Sequence, residues 1–191
     1  MHPDQFVIIN ALDPDIVRRS ILELQYHCDV LDAMGLDQTA KVQIHVGGVY
    51  GDKEKSIQRF IRQYKKLPAS IKKRLAIEND DRSYSLRDCL RISDKTGIPV
   101  IFDVFHHSCL NNNEPVRGAI VKTQKTWKKK DGILMTDYSS QKKGARKGTH
   151  TEHIEINLFK KFLNQARGLD FDIMLEIKDK EKSALKAVEM L

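Results

Sequence analysis

The chain has 191 residues, enough to bury a core, and its 40% hydrophobic and 31% charged residues exclude a membrane-embedded or wholly disordered chain. Thirty-three Lys and Arg against 26 Asp and Glu leave a net charge of +7, which suits an anionic partner such as nucleic acid without requiring one. No apolar run approaches the ~18 residues of a membrane span, the start does not read as a secretory leader, and the three cysteines form no CxxC pair, so a reducing cytoplasm is the expected location.

Gln5 to Asn10, centred on Phe6-Val7-Ile8-Ile9, reads as a short buried strand. Asp13 or Asp15 then caps a helix to Met34, with Ile16, Val17, Ile21, Leu24, Cys28 and Leu31 at helical spacing. Lys41 to His45 is the next strand, followed by the Gly47-Gly48 turn and a helix from Lys53 to Tyr64 that Pro68 ends. Leu75 to Ile77 is a strand, Ser83 or Ser85 starts a helix that stops at Gly97, and Pro99 to Val104 is another strand. A helix over Glu114 to Lys128, weakened by Gly118, leads to a strand at Ile133 to Thr136. Asp137 to Thr151 is polar, basic and glycine-punctuated, so it reads as a loop; a helix from Glu155 to Ala166, a strand from Phe171 to Leu175 and a last helix from Asp179 follow.

Six strands alternating with about six helices predict a parallel sheet with right-handed crossovers, either doubly wound or a (β/α) barrel. A complete eight-unit barrel takes roughly 250 residues. The expectation is therefore α/β: an incomplete TIM (β/α) barrel of about six of eight units, in one domain spanning residues 1–191.

Reactive side chains close nearly every strand. His2 and Gln5 flank the first and His45 closes the second; Glu78-Asn79-Asp80-Asp81 closes the third. Asp103 and His106-His107 close the fourth, Asp137 the fifth and Glu176 the sixth. In parallel β/α folds the carboxyl ends of the strands share one face, where active sites are built. Imidazole mixed with carboxylate suits Zn²⁺, Mn²⁺ or Fe²⁺, and such a cluster can hold two or more ions that activate water and stabilise a leaving oxygen. Taken singly these residues have plainer readings: His45 as a structural histidine, Glu78 as a loop charge, and Lys142 to Lys147 as a solvated run. Their shared position argues otherwise. No Walker loop or GxGxxG is present, so no nucleotide cofactor is expected.

The strings His2-Pro3-Asp4-Gln5-Phe6, His45-Val46-Gly47-Gly48-Val49-Tyr50-Gly51-Asp52-Lys53, Glu78-Asn79-Asp80-Asp81-Arg82 and Asp103-Val104-Phe105-His106-His107 resemble the UV DNA damage endonucleases. Ser139-Ser140-Gln141, Gly148-Thr149-His150 and Glu176-Ile177-Lys178 agree in order and spacing, so the resemblance runs from Met1 to about Lys180. It implies a TIM barrel similar to AP endonuclease IV that nicks damaged double-stranded DNA immediately 5′ to UV photoproducts. It also implies up to three divalent ions, manganese first, with zinc or magnesium as alternatives. By that resemblance His2, His45 and Glu78 bind one ion, and Glu78, Asp103 and Glu176 a second, with Glu78 bridging. His106 and His150 hold a third, and Lys178 joins Glu78, Asp103 and Glu176 in catalysis. Gln5 and Phe6 correspond to the pair that probes the lesion, with Tyr50, Lys142, Lys143, Arg146 and Lys147 as further DNA contacts.

Two departures stand out. The family pattern ends the fifth strand with Lys-x-His, where this chain has Met135-Thr136-Asp137; Asp137 substitutes an oxygen ligand, which favours harder ions, whereas Met135 supplies no charge. The amino-terminal part of the family, with two barrel strands and part of the DNA-binding surface, has no counterpart here. A metal-dependent sugar isomerase or epimerase barrel is the alternative enzyme, and a truncated, inactive fragment that binds DNA is the non-enzymatic one.

Overall fold

The computed structural model describes all of residues 1–191. Five short strands lie side by side in chain order, all parallel: β1 (Val42–His45), β2 (Leu75–Glu78), β3 (Val100–Asp103), β4 (Met135–Tyr138) and β5 (Asp172–Leu175). Parallel neighbours need a crossover, and helices supply it. α1 (Pro14–Ala33) precedes β1; α2 (Lys53–Lys66) and α3 (Ala69–Lys72) lie between β1 and β2; α4 (Leu86–Thr96) leads to β3. α5 (Val104–Cys109) and α6 (Val116–Gln124) lead to β4, α7 (Ile156–Gln165) to β5, and α8 (Glu181–Val188) follows it. β1 and β5 do not pair with each other, so the sheet is an open arc, in keeping with an incomplete (β/α) barrel.

Local chemistry sets the element ends. The Asp13 carboxylate accepts from the Asp15 N–H, and Pro14 opens α1 with its φ already helical. Asp52 caps α2 through the Lys55 N–H, and Gly97, at φ 74°, ends α4 in the left-handed region that a side chain resists. β2 and β3 are buried at every position, because helices cover one face and the arc interior the other, whereas the edge strand β5 is only half-buried. Phe60, Leu75, Ile92, Phe102 and Phe159 anchor the core, each stabilising by about 1.5–3 kcal/mol on burial.

The structure departs from the sequence reading in several places: α3 is an added helix, and β4 runs over Met135–Tyr138 rather than Ile133 to Thr136, which takes Asp137 and Tyr138 out of the expected loop. Gln5 to Asn10 forms no strand: Val7 and Ile9 are buried as expected, but the backbone turns, with the Val7 N–H on the Asp4 carbonyl and the Ile8 N–H on Ser20 Oγ. The place beside β1 is taken instead by Met1, whose amino group donates to the Lys41 carbonyl and whose carbonyl accepts from the Gln43 N–H. Those are the two bonds of a parallel ladder at Val42, so a sixth strand position exists for one residue only. The helix expected over Glu114 to Lys128 is shorter, starting after Pro115 and ending at Gln124, with a 3₁₀ turn at Lys129–Asp131. α5 was not anticipated; its signal is Asp103, whose Oδ1 accepts the His106 N–H at 2.7 Å as an N-cap.

Candidate functional site

Register builds the site. His45 stands opposite Glu78 across β1 and β2, and Asp103 opposite Asp137 across β3 and β4. Glu176 follows directly after β5, its N–H bonded to the Tyr138 carbonyl. His2 comes in beside β1, directly after the Met1 ladder bonds. His106 rises from the first turn of α5, and His150 is held by an isolated bridge with Gln141.

Three ligand-type groups result, each with donor atoms within 4.8 Å of one another: His2, His45 and Glu78; Glu78, Asp103 and His106; Glu78, Asp137 and Glu176. Glu78 is common to all three. His2 Nε2 lies 2.7 Å and His45 Nε2 3.5 Å from Glu78 Oε1, and His106 Nδ1 lies 2.9 Å from Asp103 Oδ2. His150 Nδ1 sits 3.8 Å from Glu176 Oε2. The first group is the one the resemblance implies. In the others His106 joins Asp103, and Asp137 joins Glu176; His150 borders both Glu176 and His106, the two imidazole rings lying 5.5 Å apart.

The site's polar atoms are underused. Both oxygens of fully buried Glu78, one oxygen of Asp137 and Nδ1 of His45 have no aligned hydrogen-bond partner, although His2 approaches Glu78 closely. Buried carboxylates left so are costly unless a cation completes them. The donor set of imidazoles and several hard oxygens therefore fits divalent metal.

The electrostatics agree. Burial opposes charge on His2, yet the adjoining Glu78 carboxylate outweighs it and lifts the imidazole to about 9. At His106 burial is likewise outweighed, chiefly by Asp103, again to about 9. Burial would raise Glu78, but His45, His2 and His106 together hold it down at about 2. Burial and the charges of Glu78 and Asp103 push Glu176 up to about 7. Asp137 is driven far above the carboxylate range by burial and then by Glu78 and Glu176. One cavity is crowded with acids that share too little positive charge.

Several positioning residues escaped the sequence reading. Gln43 Nε2 donates to Asp137 Oδ2 at 2.6 Å. Asn79 clamps Asp103 from both sides, Nδ2 donating to its carbonyl at 2.9 Å and Oδ1 accepting its N–H at 3.1 Å, while the Asn79 carbonyl lies 3.1 Å from His106 Nδ1. An asparagine directly after a strand-end carboxylate is the signal that could have marked it. Asn10 Nδ2 and Tyr84 Oη both donate to the Gly48 carbonyl at 2.9 Å, which fixes the Gly47-Gly48 turn. A Cβ at Gly47, φ 109°, would lie 2.3 Å from Asn10 Oδ1, so that turn admits no side chain.

Around the cluster opens a cleft of about 480 Å³ whose walls include Gln5, His45, Gly48, Asp81, His150 and Glu176. Phe6 projects from the turn beside it, 75% exposed. Residues Gln141 to Thr151 fold back as a hairpin, with the Lys142 N–H on the Thr149 carbonyl and the Thr151 N–H on the Ser140 carbonyl. Lys142 is paired with Glu152 at 2.6 Å, whereas Lys143, Arg146 and Lys147 are exposed without carboxylate partners. Tyr50 is exposed with a positive φ of 50°, its ring close to Gly48 of the cleft wall. Lys178 is exposed beyond β5.

The fold recurs in known proteins. The family model UV-endonuclease UvdE matches residues 1–191. A protein of Clostridium perfringens named UV DNA damage endonuclease is 42% identical over 193 residues, covering 100% of this chain and 47% of the relative. One of Bacillus cereus with the same name is 38% identical over 192 residues, covering 100% and 61%. The solved structure entitled Crystal Structure of SacUVDE superimposes with a TM-score of 0.94 at 50% identity, covering 100% of this chain and 64% of that one. The chain thus spans about half to just under two thirds of the length of these relatives. D-psicose 3-epimerase from Clostridium cellulolyticum superimposes at a TM-score of 0.57 and 14% identity, over 95% of this chain and 67% of that one, a likeness of fold alone. With a whole-length family match and relatives at these identities, the chain belongs to the UV-endonuclease UvdE family.

Proposed function

We propose that the chain carries the metal centre of a DNA repair endonuclease that nicks the phosphodiester 5′ to UV photoproducts in double-stranded DNA. The observation that carries this reading is Glu78: a fully buried carboxylate whose oxygens meet only imidazole edges and no aligned hydrogen-bond donor, shared by three ligand groups on one strand-end face. Family membership supports the same chemistry.

His2, His45, Glu78, Asp103, His106, Asp137, His150 and Glu176 would hold up to three divalent ions, Mn²⁺ before Zn²⁺ or Mg²⁺ because four carboxylates set hard oxygens beside four imidazoles. Ions bound there would polarise the phosphodiester and offset charge on the leaving 3′ oxygen. Asn79 and Gln43 keep Asp103 and Asp137 aimed inward. Gln5 and Phe6, on the exposed turn, probe the helix for a lesion, the aromatic ring filling the place of displaced bases by stacking. Lys143, Arg146 and Lys147 attract the backbone. Lys178 belongs with these backbone contacts rather than with the reacting atoms, given its exposure. The sugar-epimerase alternative rests on fold alone, and a small sugar has no use for an exposed Phe6 or a basic hairpin.

The test is incision of an end-labelled duplex holding one thymine photodimer, with Mn²⁺ and with chelator. A single product ending 5′ to the dimer, present with Mn²⁺ and absent with chelator or in Glu78→Gln, is expected. No metal-dependent nick overturns the proposal in favour of an inactive fragment.

A further inference from the structure

Two arginines in the chain are withdrawn from the surface, Arg59 half-buried and Arg74 buried. Arg74 is neutralised by Asp32, with Nη2 and Oδ1 2.5 Å apart. Arg59, half-buried on α2, has no carboxylate within ion-pair distance. Its Nε donates to the Asn10 carbonyl at 2.8 Å and its Nη2 to Ser56 Oγ at 2.9 Å, while Nη1 has no protein partner. The guanidinium also covers the Tyr50 ring, 5.2 Å from its centroid. That ring in turn presses on Gly48, where a Cβ would come within 2.7 Å of it.

The guanidinium is thus held between the Val7–Asn10 turn, through the Asn10 carbonyl, and the loop after β1, through the Tyr50 ring, with Ser56 on α2 as a further partner. A partly desolvated positive charge held in place with one unbonded edge is unfavourable alone and favourable beside an anion. An arginine fork matches phosphate geometry, and pre-organisation lowers the entropy lost on binding. We propose that Arg59 is a DNA-backbone contact: its free Nη1 edge takes a phosphate oxygen, while Nε and Nη2 anchor it to Asn10 and Ser56 and its face lies over the Tyr50 ring. This assignment rests on the DNA-repair reading above and adds a residue outside the metal cluster and the basic hairpin.

The decisive experiment measures duplex affinity of the metal-free chain across a salt series for the wild type, Arg59→Gln and Arg59→Lys. Each neutralised phosphate contributes about 0.9 to the slope of log affinity against log salt. Arg59→Gln should lower that slope by about 0.9 and weaken binding roughly tenfold at moderate salt. Arg59→Lys should keep the slope and lose part of the affinity, since the charge stays and the fork goes. An unchanged slope in a folded Arg59→Gln overturns the assignment. Absence of salt-dependent duplex binding by the wild type overturns the DNA-repair reading along with it, which separates the two failures. Should Arg59→Gln not fold, NMR of the wild-type Arg59 guanidinium decides: its signals shift on adding duplex if Nη1 meets phosphate, and stay put if it does not.

Discussion

His45 and Glu78 are register partners on adjacent parallel strands, and Nε2 of the imidazole lies 3.5 Å from Oε1 of the carboxylate. Parallel pairing sets both at the same level, and burial of β2 denies Glu78 any water that could replace a ligand. From that one position Glu78 reaches His2 across β1, Asp103 and His106 beyond β3, and Asp137 and Glu176 on the far strands. No other side chain belongs to all three groups.

Glu78→Gln keeps the volume and removes the charge. Loss of an outer partner of a metal ligand typically costs 10–100-fold in affinity or activity, so loss of a shared ligand should cost at least about 100-fold in incision rate. Calorimetric titration with Mn²⁺ should register fewer bound ions. Full stoichiometry in this variant would contradict the central place given to Glu78.

The metal-free protein should lose stability as pH rises from about 5 to 9. Glu176 has a folded value of about 7, above its unfolded value near 4.3, so ionising it disfavours the fold increasingly between those values. Asp137, raised for the same reasons, acts in the same sense. His2 and His106, raised to about 9, contribute stability that is whole below about 6.5 and gone above 9. Glu78 acts oppositely, but only between about 2 and 4.3. Melting curves in chelator should therefore peak near pH 5, and Mn²⁺ should raise the melting temperature most at pH 8 to 9. A flat profile, or a Mn²⁺ effect largest at pH 5, would refute this electrostatic account.

The longer helices and the strands β1 to β5 were legible within a few residues, because apolar spacing records which faces are buried, whereas the short α3 and α5 were not. Gln5 to Asn10 misled for the same reason: Val7 and Ile9 are buried, yet periodicity reports burial and not backbone pairing, and here Asp4 and Ser20 take the N–H groups that a strand neighbour would have taken. The ligand residues were legible as strand-end acids and histidines. Their grouping was not, because whether Asp137 or His106 joins Asp103 depends on register and on the cap that starts α5. Nothing in the sequence marked Lys41 as buried, since its counter-ion lies 90 positions away.

That counter-ion is Asp131: Lys41 Nζ and Asp131 Oδ1 are 2.7 Å apart with almost no exposure, and Nζ also donates to the Lys73 carbonyl at 3.1 Å. The pair ties the start of β1 to the 3₁₀ turn that precedes β4, at the end of the sheet away from the metal cluster. Lys41→Met leaves a buried carboxylate alone and should cost about 3–5 kcal/mol in urea unfolding. Adding Asp131→Leu should recover much of that loss, because the penalty is the unpaired charge. Mn²⁺ affinity should be unchanged in both; a double variant no more stable than Lys41→Met would mean the pair works through packing instead.

Phe6 presents the opposite case, a large aromatic side chain that is 75% exposed on a turn whose backbone is held by Asp4. Its removal should leave stability within about 0.5 kcal/mol, as for other exposed positions without special contacts. Stacking of an aromatic ring on a nucleobase is worth about 1–3 kcal/mol, so Phe6→Ala should bind photodimer duplex about 5- to 150-fold more weakly. Undamaged duplex, whose bases stay stacked, should lose far less. The discriminating quantity is the ratio of the two affinities, measured by competition at one fixed salt concentration. Phe6→Trp should keep that ratio, since it retains a stacking face. Equal losses on damaged and undamaged duplex would make Phe6 a general contact and remove it from lesion recognition.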